Sequence, residues 1–142
     1  MNKTVLAVMG ILTGLTAAGV GIWMATRKAV ATIQSFSRAT QAVRNTAYDV
    51  TVQWTVLQPF SGVVNFIAYT LDKKTQVAVA GGAAFLDFPA GTRIDMLPGW
   101  CGLGVIPGQY LLRVMVWQGN SITRIPDKIV AEVWDSVPIT VI

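Results

Sequence analysis

Few residues in this 142-residue chain could carry covalent chemistry. It has no histidine, so its one cysteine, Cys101, lacks the base that would activate a thiol for nucleophilic attack. A buried structural thiol is the expected state of Cys101. Seven acids are present, and Asp87, Asp95, Asp127 and Asp135 could in principle take calcium, but they are scattered and no D-x-D-x-D-G spacing joins them. Turn carboxylates in water account for them better. The chain is therefore expected to hold no metal or cofactor, to take no small-molecule substrate and to be no enzyme.

Residues 97–108, LPGWCGLGVIPG, place Trp100 and Cys101 between two Pro-Gly turns. The Gly102-Leu103-Gly104 within them has no helix after it, and so no helix N-terminus to receive a phosphate. A long loop is expected. Either Trp100 plugs the end of a core, or Trp100, Cys101 and Leu103 form a contact surface for a partner. Trp54, Trp117 and Trp134 fall in strand-like runs that suit core and contact roles alike.

The elements that must position these residues differ along the chain. Residues 1–48 hold Lys3, Arg27, Lys28, Arg38 and Arg44 and no acid, whereas residues 49–142 hold six basic residues against all seven acids. A nucleic-acid module would gather its Lys and Arg on the folded part, so no nucleic-acid partner is expected. Residues 4–26, TVLAVMGILTGLTAAGVGIWMAT, carry no charge over 23 positions. As a helix they would span roughly 34 Å, enough to cross a hydrocarbon core of about 30 Å.

Residues 1–28 are accordingly expected to be a single-pass transmembrane anchor, flanked by Lys3, Arg27 and Lys28, with Trp23 at headgroup level. A cleaved secretory signal is the alternative, but the apolar run continues past the small residues Ala17 and Ala18. Gly10, Gly14 and Ala18 recur at four-residue spacing, with Gly21 on a neighbouring row, which would let helices pack closely in lipid. The basic residues favour a cytoplasmic C-terminal side. Residues 29–48 contain no Gly or Pro, and Val30, Ile33, Phe36, Thr40, Val43 and Ala47 recur three or four apart. That spacing predicts an amphipathic helical stalk that prolongs the anchor into a rod of roughly 65 Å.

From Asp49 the period becomes two: Val50, Val52, Trp54 and Val56 alternate with Thr51, Gln53 and Thr55. Turn residues then separate GVVNFIAYTL, TQVAVA, AAFLDF, TRIDML, QYLLRVMVW, KIVAEVW and PITVI. Such spacing predicts an antiparallel β-sandwich of about 7–8 strands over residues 49–142. The expected fold class is mainly β with a long N-terminal α-helix. Residues 107–116, PGQYLLRVMV, resemble the penultimate-strand signature of immunoglobulin-like and fibronectin-like sandwiches, where Gly-x-Tyr opens a strand of alternating apolar residues. The resemblance covers one strand and its turn and implies a fold class only; the bridging cysteine pair of antibody domains is missing. The layout also looks like type IV pilin-like proteins, although no short basic leader with a cleavage site precedes the apolar run.

An anchor, a stalk and a compact β-module without catalytic residues are expected to form a non-enzymatic structural or adaptor protein. Its most specific form is a minor capsid protein of a membrane-containing virus, set in the virion membrane with its β-domain facing the capsid. Its partners would be the lipid bilayer, further copies of itself and other structural proteins of the assembly. The alternatives are a pilin-like filament subunit with bundled N-terminal helices and an accessory subunit of a membrane protein complex. Six basic and seven acidic residues over positions 49–142 are few for a freely solvated domain, so neighbours are expected to cover much of its surface.

Overall fold

The computed structural model describes residues 29–142, and every regular element among them is a β-strand. In chain order they are β1 (Ala31–Arg38), β2 (Gln41–Ala42), β3 (Thr46–Ala47), β4 (Val50–Val56), β5 (Phe60–Tyr69), β6 (Gln76–Gly82), β7 (Leu86–Phe88), β8 (Gly91–Leu97), β9 (Gly99–Cys101), β10 (Gly108–Gly119), β11 (Pro126–Trp134) and β12 (Ile139–Val141). They build two sheets. The small one is ordered β1-β4-β8; the large one runs β2-β12-β10-β5-β6-β9-β3, with β11 also paired to β10 and β7 to β5. Only the short β12–β2 contact is parallel.

This corrects the expected fold class. No α-helix occurs among the described residues, and none of their elements is long and apolar enough to cross a membrane as a helix. The stalk expected at residues 29–48 is β1, β2 and β3. Its misleading period has a local cause. A bulge between Ile33 and Ser35 inserts one residue into β1, so that Ile33 opposite Trp54 and Phe36 opposite Val52 share the inward face although they are three apart. Three-residue spacing is what a helix would show. Farther on the stripe dissolves, for Ala42 is buried while Val43 is 48% exposed. The anchor expected at residues 1–28 lies outside the described residues.

The sandwich itself follows from alternation. On β4, Val50, Val52, Trp54 and Val56 are buried, and Thr51, Gln53 and Thr55 turn to the other face. From the large sheet, Val64, Phe66 and Ala68 of β5 and Leu112, Val114 and Val116 of β10 meet them. At one edge of the core, Phe88 lies 5.0 Å from Trp54 and 5.3 Å from Phe60, ring centre to ring centre. The Trp54 indole donates to Asp95 Oδ2 at 2.7 Å, and Arg93 holds both Asp95 oxygens at 3.0 Å. Phe66 needs two glycines: a Cβ at Gly81 or Gly99 would fall 2.8 or 2.5 Å from its ring. Tyr110, opening β10, donates its hydroxyl to the Ile106 carbonyl four residues upstream.

The sheets are joined at another edge by charge. Arg38, at the end of β1, donates from Nε to Asp135 Oδ2 at 2.7 Å and from Nη2 to the Val137 carbonyl at 3.0 Å. Both side chains are largely covered, at 14% and 9% exposure. Nearby, Tyr48 donates to the Ala39 carbonyl and packs edge-on against Phe66. Burial, with smaller contributions from Asp135 and Cys101 and against the opposing pull of Arg38, pushes the Tyr48 pKa up to about 12.

Two outcomes follow. Arg38→Ala leaves Asp135 desolvated and without its partner, and chemical denaturation at neutral pH is expected to show a loss of about 3 kcal/mol; a loss under about 1 kcal/mol would mean that solvent screens the bridge. Because burial favours the neutral phenol, the stability that Tyr48 contributes is whole below the ordinary value of 10.0 and is lost as pH rises toward about 12. An ultraviolet phenolate titration should find a late-ionising step, and Tyr48→Phe should remove it.

Candidate functional site

Antiparallel partners share a face, so the ladder that turns Phe66 and Val114 into the core turns their neighbours outward. On β10 the outward residues are Arg113, Met115 and Trp117, and opposite them on β5 stand Ile67, Asn65 and Val63. On one side β11 adds Trp134, Glu132 and Ile129. On the other, β6 adds Ala80 beside Ile67, Gly82 beside Asn65 and Gln76 beside Tyr69. Between them runs a groove of about 780 Å³, with the small residues Ala80, Gly81, Gly82 and Ala83 along one wall and Arg113, Met115, Trp117 and Ile129 along the other. The groove depends on Gly82, because a Cβ there would fall 2.9 Å from Asn65 Cβ.

One end of the groove is polar and aromatic. Arg113 reaches Glu132 with Nε at 2.9 Å and Nη2 at 3.2 Å, and its Nη1 donates to the Tyr69 hydroxyl at 3.1 Å. Gln76 Nε2 donates to the same hydroxyl at 3.0 Å. The Tyr69 and Trp134 rings are 4.8 Å apart, and the Arg113 guanidinium stands 5.3 Å from the Trp134 centroid, with Lys73 Nζ at 4.9 Å. Burial works against the Arg113 charge, but hydrogen bonds to Glu132 and Tyr69 outweigh it and hold the group above its ordinary pKa. Midway, Trp117 Nε1 donates to Asn65 Oδ1 at 3.2 Å. Asn65 Nδ2 and Gln76 Oε1 make no hydrogen bond among the described residues, so a donor and an acceptor are left over beside the groove.

The contact surface expected from the sequence is distributed differently. Residues 99–101 form β9, not a loop, and alternation separates them: Trp100 is 52% exposed beside Ala80, while Cys101 points inward opposite Val79 and is fully buried. Burial pushes the Cys101 thiol pKa up, against a smaller opposing effect of Arg44. Leu103, in the turn that follows, is 67% exposed. Gly10, Gly14, Ala18 and Gly21, and the flanking Lys3, Trp23, Arg27 and Lys28, lie outside the described residues. Of the three strand tryptophans, Trp54 fills the core and Trp117 and Trp134 stand on the groove face.

Asn65, Tyr69, Gln76, Arg113 and Glu132 were not singled out from the sequence. Their signal was an amide and a guanidinium inside otherwise apolar strands, at positions of one parity in VVNFIAY and LLRVMVW. A second, shallower hollow lies by Pro59, Ser61, Asp87 and Pro89. There the Ser61 hydroxyl, aided by Arg124 and opposed by slight desolvation, holds Asp87 below the usual carboxylate range. Among the described residues no group of three or more Cys, Asp or Glu side chains could hold a metal ion.

No family model matches this chain, and no curated protein does. Among solved structures it is similar to the C-terminal domain of wzt, with 17% identity and a TM-score of 0.60 over 81% of this chain and 75% of that one. It is also similar to a Niemann-Pick type C2 protein from Japanese carpenter ant, with 8% identity and a TM-score of 0.50 over 80% of this chain and 93% of that one. At such identities the likeness is one of fold, and the fold it supports is a two-layered β-domain.

Proposed function

We propose that this chain is a non-enzymatic structural or adaptor protein whose sandwich holds its partner on the outer face of the large sheet. The supporting observation is how the groove's charged groups are engaged. Glu132, the carboxylate beside the groove, lies in a two-pronged pair with Arg113, which turns both its oxygens to the guanidinium and fixes a shape. Around the pair, Trp117, Trp134 and Tyr69 stand on a rigid sheet. Aromatic rings and arginine are enriched among the residues that carry contact energy, the rings because they offer much area with few rotors to immobilise and arginine because its planar fork binds and stacks. The Tyr110–Ile106 hydrogen bond, a tyrosine corner, also supports placing the sandwich with the immunoglobulin-like class.

The pilin-like version of this role drew on a long N-terminal helix, and the stretch expected to be its second half is β1 to β3; the adaptor proposed here works through a sheet face of the described residues.

Hydroxyl-radical footprinting of the protein in its native assembly, compared with the purified protein, tests this. Oxidation of Trp117 and Trp134 is expected to fall at least about fivefold in the assembly, the protection given by a buried contact, while Met96 on the small sheet, 58% exposed, reacts alike in both. Equal oxidation of the two tryptophans would refute the docking face. The shape-holding role of the ion pair has its own measure in urea denaturation. Glu132→Gln is expected to cost under about 1 kcal/mol, since the carboxylate is 40% exposed and screened by solvent. Arg113→Ala should cost about 2 kcal/mol, because it also strips Tyr69 and Trp134 of their guanidinium neighbour.

A further inference from the structure

We infer that the groove binds an uncharged saccharide chain, which rests on the proposal that the outer face of the large sheet is the docking face. The floor strands β5 and β10 are paired on both sides, so an extended peptide finds no free backbone edge between them and could be held there by side chains alone; β11 is paired with β10 only. Arg113 is matched by Glu132, and Lys73 stands over Trp134 at one end, so the groove lacks the run of cations that a nucleic acid or an acidic chain needs. A lipid tail calls for an enclosed apolar cavity; this groove is open and carries the Asn65 amide midway and the Gln76 amide and Tyr69 hydroxyl at one end.

What remains is a ligand with flat C–H faces and many hydroxyls. The flat faces suit Trp117 and the Ala80–Gly82 wall, where the missing side chains let a ring lie close to the backbone. The hydroxyls suit Asn65 Nδ2, a donor with no partner among the described residues, and Gln76 Oε1, an acceptor with none. A sugar hydroxyl donates and accepts at once, so one chain can answer both. The volume of about 780 Å³ is that of a small-molecule site open at its ends, which fits a stretch of a longer chain. Arg113, Glu132 and Tyr69, locked together, hold the site's geometry and place no net charge on the ligand.

Isothermal titration of the purified protein, with tryptophan fluorescence in parallel, against soluble cello-, chito-, manno- and galacto-oligosaccharides is the test. At least one is expected to bind at a single site with a Kd below about 1 mM and to change the tryptophan signal. Asn65→Ala and Gln76→Ala should each weaken that binding by about tenfold, with thermal stability retained, and Gly82→Leu should abolish it. Ile94→Ser, on the exposed face of the small sheet, should leave it unchanged. No saturable binding by any of the sugars up to about 10 mM, or binding that the three groove variants do not alter, overturns the inference. Protection of Trp117 and Trp134 in the assembly without saccharide binding would keep the docking face and refute the sugar. Saccharide binding without that protection would do the reverse.

Discussion

The pairing of β5 with β10 is the constraint on which the rest of the structure depends. Its register runs unbroken from Leu111 opposite Tyr69 to Gln118 opposite Gly62. Because side chains alternate with a period of two, this one ladder decides both faces of the sheet. Val64 and Phe66 with Leu112 and Val114 enter the core; Asn65 and Ile67 with Arg113 and Met115 line the groove. A slip of one strand by one residue would either bury the guanidinium or expose the phenylalanine. The core therefore specifies the groove: the cost of placing Arg113 in an apolar interior excludes the alternative register more strongly than any contact on the outer face could.

The small sheet depends on the same logic at its edges. β8 is an edge strand, and beside the buried Leu97 the residues that it turns toward the core side are Arg93 and Asp95, opposite Trp54 and Val52. Charges that point inward from an edge strand oppose its pairing with another chain, since a second strand there would have to cover them. They are kept at small cost because each has a partner. Desolvation would raise the Asp95 pKa, but hydrogen bonds from Arg93 and the Trp54 indole outweigh it and the carboxyl is held low. The guanidinium in turn lies 5.0 Å from the Phe88 ring centre, so the charged edge continues the aromatic packing of Trp54, Phe60 and Phe88.

The legible part of the sequence was where one face is wet and the other dry. β4 shows this best: its strict alternation appears in the structure residue for residue. β5 and β10 are apolar at both parities, because the core takes one face and the groove the other, so periodicity could mark them as strands without saying which residues faced where. The groove was hidden for that reason, although Asn65 and Arg113 interrupt the runs. β1 was misread because a bulge imitates a helical spacing, and β9 because Pro-Gly turns on either side of a three-residue strand look like one long loop. A bulge and a strand held between β6 and β3 are set by tertiary pairing, which local periodicity does not encode.

Sparse charge, which in the sequence suggested a surface covered by neighbours, has a second cause in the fold. Among the described residues, Arg38, Arg93, Arg113 and Arg124 are paired with Asp135, Asp95, Glu132 and Asp87. These pairs join the sheets, close an edge, brace the groove and fasten a loop, and Arg124 also reaches the Phe85 carbonyl at 3.0 Å. Much of the domain's charge thus serves its internal geometry, and little remains to give the outer sheet face a field of its own. A face of that kind selects by shape and by hydrogen-bond direction, and contacts along its middle respond weakly to ionic strength, because Arg113 is already neutralised by Glu132 within about 3 Å while Lys73 stands over Trp134 at one end.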